Sequence, residues 1–129
     1  MSEPTFRIKR VYDEPAPEDG FRVLVDRLWP RGITKERAQA DLWLKDAAPS
    51  PALRVEWHHD PARFDEFADR YRAELDRSPA REAVDELVEL ARAHGTVTLL
   101  FAAHDPVVNH AAVLREHLNQ ALSGGDGAR

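Results

Sequence analysis

The chain contains no cysteine in its 129 residues. That absence excludes a disulfide framework, a thiolate nucleophile and any cysteine-ligated zinc or iron–sulfur centre. It also lacks an apolar run near the ~20 residues that span a bilayer. The longest candidate, Val97 to Ala103, has the length of a strand. There is no excess of basic charge. Lys and Arg number 18 against 23 Asp and Glu, for a formal charge of −5, which argues against general nucleic-acid binding, whose footprint is basic. Met1-Ser2-Glu3-Pro4-Thr5 has no basic stretch leading into an apolar one, so no secretory signal is expected. A cytoplasmic protein with no membrane partner is the expectation. No G-x-G-x-x-G, P-loop, His-Glu-x-x-His or nucleophile-elbow motif occurs.

What is present describes a globular chain. Hydrophobic residues make up 43% and charged residues 32%, too apolar for disorder and too charged for a membrane protein. The length fits one domain, expected over residues 1–122, with 123–129 as a flexible glycine-rich tail. Phe6, Ile8 and Val11 suggest a first strand. Residues 14–20, with two prolines and Gly20, form a turn. Phe21 to Leu28 reads as a second strand, continuously apolar at Val23-Leu24-Val25, as expected for a strand covered on both faces. Thr34 can cap a short helix from Lys35, and Leu42-Trp43-Leu44 can form a short strand. Ser50-Pro51, Asp60-Pro61 and Ser78-Pro79 are helix-start signals. Phe64, Phe67, Ala68, Tyr71 and Leu75 line one helical face, and Val84, Leu87, Val88 and Ala91 line another. Gly95 ends the latter helix. Thr96 to Ala102 is a buried strand, and Val113, Leu114, Leu118 and Leu122 mark a last amphipathic helix. The order predicts an α/β fold: a small, largely parallel sheet with helices packed on both faces, a three-layer sandwich.

Ligands of open α/β sheets bind outside the carboxyl ends of the strands. Two such ends concentrate polar groups. One is Asp26-Arg27-Leu28-Trp29-Pro30-Arg31-Gly32. The other is Ala103-His104-Asp105-Pro106, leading to Asn109-His110. If both strands run the same way, the two segments share a crevice. Arg27 and Arg31 can grip an oxyanion through paired N–H donors. Trp29 can supply a flat wall, and Asn109 can cap a helix whose N-terminus attracts negative charge. His104 or His110 can move a proton near neutral pH, with Asp26 orienting an arginine or accepting from a ligand hydroxyl. Each has a plainer reading: an ion pair that fixes a loop, a loop anchor, a cap, a surface histidine. His58-His59-Asp60 points apart rather than at one ion, so no fixed metal is expected.

The stretch Ile8-Lys9-Arg10-Val11-Tyr12-Asp13, then Asp19-Gly20, then Val25-Asp26-Arg27-Leu28-Trp29-Pro30-Arg31-Gly32 is distinctive. It resembles the start of the YeaO-like branch of the family called domain of unknown function 488. The resemblance runs on through Asp41 to Lys45, Ala48-Pro49-Ser50, Leu53-Arg54, His59-Asp60-Pro61, Phe67, Tyr71, Leu99-Leu100 and Asn109-His110-Ala111. It implies a small single-domain cytoplasmic protein of bacterial type with an α/β fold, and no particular reaction or cofactor. Where that pattern often has Ala-Lys-Asp after the last strand, this chain has Ala103-His104-Asp105, which removes a fixed positive charge.

Three functions are open on these residues. The first is a pocket for a small anionic or phosphate-bearing ligand, with or without acid–base chemistry. The second is a non-catalytic interaction protein that uses its acidic helices with Trp43 and Trp57. The third is a metal-dependent hydrolase built on His104, Asp105 and His110.

Overall fold

A computed structural model describes residues 3–57, 60–105 and 108–127. Four strands, β1 (Thr5–Arg10), β2 (Phe21–Leu24), β3 (Leu42–Trp43) and β4 (Thr96–Phe101), form one sheet in the order β1-β4-β2-β3. Every pairing is parallel. Among the described residues five α-helices accompany it: α1 (Lys35–Ala38), α2 (Pro51–Trp57), α3 (Phe64–Leu75), α4 (Ala80–His94) and α5 (His110–Gly127). The α/β class and the parallel sheet agree with the sequence reading.

Helices α1 and α2 start where short polar side chains accept the first free amides, whereas α3 and α4 start without a side-chain cap, Ser78 Oγ donating to Glu82 instead (2.6 Å). The Arg37 amide donates to Thr34 Oγ1 (3.0 Å) at α1 and the Leu53 amide to Ser50 Oγ (3.2 Å) at α2. Asp60 behaves differently from expectation. Its carboxylate accepts from the Ala62 amide (3.0 Å), but it caps a single 3-10 turn, Pro61–Arg63, and α3 begins only at Phe64. The second strand also ends early, at Leu24, although the Val25 amide still donates to Leu100 O (3.1 Å). The stretch called a tail from its composition is helical as far as Gly127. A helix once nucleated by the buried stripe Leu114–Leu118 extends at one hydrogen bond per added residue.

The two faces of the sheet are covered unequally. On one face Phe6, Val23, Val97, Leu99 and Phe101 meet α4 and α5, with α3 and α2 packed behind. On the other face Val11, Leu24 and Leu100 lie under Ile33, Ala38 of α1, and the half-buried Trp29 and Trp43. The rest of that second face is polar. Thr98 stands on β4 between Arg7 and Arg22 in register, and the connection from β1 to β2 crosses over it. There the buried Asp19 receives Lys9 (3.1 Å), Arg22 and the Ala16 amide (3.0 Å), while Thr98 Oγ1 donates to the Asp19 carbonyl (2.7 Å). Arg22 spends its remaining donors on the carbonyls of Gln39 and Ala38, tying the α1 turn to the same point. Gly20 packs against β4 at φ +65, where a Cβ would sit 2.4 Å from Thr96 O.

The connections decide where a ligand can enter. From β2 the chain leaves toward the second face and α1; from β4 it leaves toward the first face and α5. β2 and β4 are neighbours, so their carboxyl ends form the switch point at which open α/β sheets leave a crevice.

Candidate functional site

At that switch point lies a hollow of about 260 Å³, lined by Asp26, Arg27, Leu28 and Pro30 after β2, by Ala102 and Ala103 after β4, by His110 at the start of α5, and by Ala48, Pro49 and Arg54 around the start of α2. The two segments singled out in the sequence are therefore joined. Asp26 Oδ2 accepts the Ala102 amide (3.0 Å), and the His110 ring lies against both Val25 and Asp26.

His110 Nε2 stands 3.0 Å from Val25 O and 3.1 Å from Asp26 Oδ1. Both neighbours are acceptors, so Nε2 carries the proton in either charge state, and in the neutral ring Nδ1 is the nitrogen left with a lone pair. Asp26 Oδ1 is buried and has no hydrogen-bond partner outside this contact. Since Nε2–H is shared with the Val25 carbonyl, the carboxylate holds the imidazole chiefly by charge when the ring is protonated. Behind the pair sits Tyr71, with its ring edge-on to His110 (6.2 Å between centroids) and its hydroxyl donating to Ala47 O. Burial, reinforced by Glu74 and Asp26, pushes that phenol well above its ordinary range. Tyr71 therefore stays neutral and packs behind the pair, fully buried and outside the lining of the hollow.

Arg27 is fixed by the segment that precedes α2. Nε donates to Pro49 O (3.2 Å) and Nη2 to Ala48 O (3.1 Å), while Nη1 stands 3.9 Å from Asp46. The remaining edge of a planar guanidinium is thereby held in place. Arg54 is exposed on α2, and its side chain has no hydrogen-bond or ion-pair partner among the described residues. Leu28, at 67% exposure, forms an apolar lip.

Of the residues nominated from sequence, Asp26, Arg27 and His110 line this hollow and four do not. Trp29 turns to the second face, edge-on to Trp43 (5.3 Å), with its Nε1 donating to Ile33 O (2.7 Å). Its bulk is drawn to the apolar cover rather than to the hollow. Arg31 lies exposed beyond the Trp-Pro turn; its carbonyl accepts from Tyr12 Oη (2.8 Å). Asn109 is fully buried as the cap of α5, accepting the Ala112 amide (2.8 Å) and donating to Asp105 O (2.8 Å). His104 is exposed and borders a separate hollow with Asp105 and Val108. Conversely, Arg54 was not singled out. Its signals in the sequence are its place in the Leu53-Arg54 motif of the family resemblance and a position one turn after the Ser50-Pro51 helix start, which places it on the face that Ser50 shares.

The other two functional readings find less material. His104 and Asp105 are apart from His110, and among the described residues no three His, Asp or Glu side chains gather as a metal site. His58 and His59 lie outside the described residues. Trp57 is buried, stacked on Phe67 at 4.0 Å, and Trp43 lies under Lys45 (4.4 Å) with its Nε1 bonded to Asp26 O (2.8 Å). Neither is a free docking surface. Among the described residues no helix is long and apolar enough to cross a membrane.

The fold and hollow define a class: a small, all-parallel α/β domain with an open crevice at its strand switch point. Residues 5–129 match the profile of a family described as "Inactive DUF488-N3 subclade". The chain belongs to that family. It is 47% identical over 121 residues to uncharacterised proteins of Mycobacterium tuberculosis and Mycobacterium bovis, covering 92% of this chain and 98% of theirs. It is 40% identical over 110 residues to the uncharacterised protein YeaO of Escherichia coli, covering 85% of this chain and 93% of that one. No solved structure matches it at a significant level. These relatives agree with the resemblance to YeaO-like proteins drawn from the N-terminal motifs.

Proposed function

We propose that this chain is a cytoplasmic binding protein for a small anion, phosphate- or carboxylate-bearing, held in the hollow between β2 and β4, and that it does not transform its ligand. The observation that carries the reading is that Arg54, whose guanidinium has no partner among the described residues, and the fixed Arg27 line one hollow whose single carboxylate, Asp26, accepts the Ala102 amide and lies 3.1 Å from His110. Two such cations in a partly enclosed space favour an oxyanion and can hold it bidentately. Leu28, Pro30, Pro49, Ala102 and Ala103 make the rest of the lining largely apolar.

Chemistry would need more. Among the described residues no serine or threonine lines the hollow, and His110 gives its Nε2 proton to main chain and carboxylate rather than to an open position. The description of the family as inactive points the same way. The acid–base role considered for His110 and Asp26 becomes, on this reading, a positioning role.

The test is thermal stabilisation by inorganic phosphate and phosphorylated metabolites, applied to the wild type and to Arg54→Ala. The expected result is a rise in Tm that grows with ligand concentration in the wild type and is lost in Arg54→Ala. Equal responses from both proteins would overturn the assignment.

A further inference from the structure

A second hollow of about 270 Å³ adjoins the first, and the two share Arg27 and Ala48. Its other chemistry comes from Asp46, Glu74, Arg77 and Ser78, at the turn between α3 and α4 and the turn before α2. The two lobes differ in charge. The first sets Arg27 and Arg54 against one carboxylate. The second sets Arg27 and Arg77 against two, Asp46 and Glu74.

The groups of the second lobe are also used differently. Glu74 accepts the Ser50 amide (2.9 Å) and Ser50 Oγ (2.6 Å), one on each carboxylate oxygen, and each oxygen keeps a lone pair. Asp46 is half-exposed and only loosely paired with Arg27. The guanidinium of Arg77 has no side-chain partner among the described residues. This lobe therefore offers both donors and acceptors, two guanidinium groups against two carboxylates. A second anionic group would meet two carboxylates there. Hydroxyl groups, which donate and accept at once, would meet partners of both kinds.

Building on the anion reading of the first lobe, we infer that the ligand is a phosphorylated sugar or polyol that spans both lobes. Its phosphate lies between Arg27 and Arg54, and its hydroxylated body passes over Arg27 to Asp46, Glu74 and Arg77. Arg27 is the bridge, since the carbonyls of Ala48 and Pro49 hold its guanidinium at the seam.

Titration calorimetry with inorganic phosphate, ribose 5-phosphate and free ribose tests this on the wild type, Arg54→Ala and Arg77→Ala. Arg77 is exposed, so its replacement leaves the fold intact. Ribose 5-phosphate should bind about tenfold more tightly than inorganic phosphate, the worth of one or two added hydrogen bonds. Arg77→Ala should reduce it to the level of inorganic phosphate while leaving inorganic phosphate binding unchanged. Arg54→Ala should weaken both, and free ribose should bind weakly or not at all. If Arg54→Ala weakens both anions but ribose 5-phosphate has no advantage, or Arg77→Ala does not affect it, the two-lobe ligand is overturned and the anion site stands. If Arg54→Ala changes nothing, the anion site falls and the inference with it.

Discussion

Two clusters of acid and base flank the same strand. Near the amino end of β2, Asp19 meets Arg22, Lys9 and a main-chain amide; past its carboxyl end, Asp26 meets His110, with Arg27 adjacent. Both are built from one carboxylate and neighbouring basic side chains, yet they do opposite things. The Asp19 cluster is sealed: the residue is 1% exposed, and Arg22 has its donors placed on Asp19, Gln39 and Ala38. Each of the three guanidinium nitrogens has a partner, and burial closes the cluster to a ligand. The Asp26 cluster opens on a hollow, and Arg54 beside it has no partner among the described residues. Residue type does not separate a structural network from a candidate site here. What separates them is whether hydrogen-bonding capacity remains after the fold has taken its share.

The contrast can be broken most sharply at the sealed cluster. Asp19→Ala would leave Arg22 buried without its carboxylate, and removal of one partner of a buried pair costs about 3–5 kcal/mol. Urea unfolding should show that loss with little change in the slope; a cost below about 1 kcal/mol would mean the network is not structural. Gly20→Ala comes next. Its side chain would strike Thr96 O, in a backbone conformation that L-residues rarely adopt, so about 2–3 kcal/mol of destabilisation is expected from strain and displacement.

Acid should act through the same cluster. Burial raises the Asp19 carboxyl, but hydrogen bonds from the Ala16 amide, Lys9 and Arg22 outweigh it and hold the group below its ordinary value. A carboxylate depressed in the folded state stabilises fully above its unfolded value, near ~3.9, and loses that contribution as pH falls through the folded one. Asp19→Asn should therefore flatten the acid limb of the stability profile below about pH 4. An unchanged acid limb would place the titration elsewhere.

Changes at the open cluster should be smaller. His110→Ala removes the donor to Val25 O and the ring beside Asp26, for about 1–2 kcal/mol. Arg54→Ala should alter stability by less than about 0.5 kcal/mol, as exposed substitutions do, while abolishing the anion response. A large stability loss from Arg54→Ala would show that its guanidinium belongs to the fold, and the distinction between the two clusters would disappear.

Much of this could be read from residue order. The Val23-Leu24-Val25 and Thr96–Phe101 runs announce buried strands, and the stripes Phe67–Tyr71–Leu75 and Val84–Leu87–Ala91 announce helices, because burial follows the period of each element. Thr34 and Ser50 gave away helix starts, since a free amide needs a local acceptor. Boundaries slipped where such signals compete: Asp60-Pro61 caps a 3-10 turn before α3 begins. Trp29 and Arg31 were legible as residues but not as directions. Which way a side chain turns after a Trp-Pro bend depends on the packing it meets, and Trp43 with Ile33 supplied that packing for Trp29.

The sequence by itself determined the class of fold, the strand-end location of the polar groups and the family, because periodicity, caps and a contiguous Asp-Arg-Leu-Trp-Pro-Arg-Gly run are local properties. Only the tertiary structure decided that Arg54 joins Arg27, Asp26 and His110, and that Asp19 is sealed while Asp26 is not. Those outcomes depend on the order β1-β4-β2-β3 and on which connection crosses which face. They are contacts between residues tens of positions apart, which no local pattern encodes.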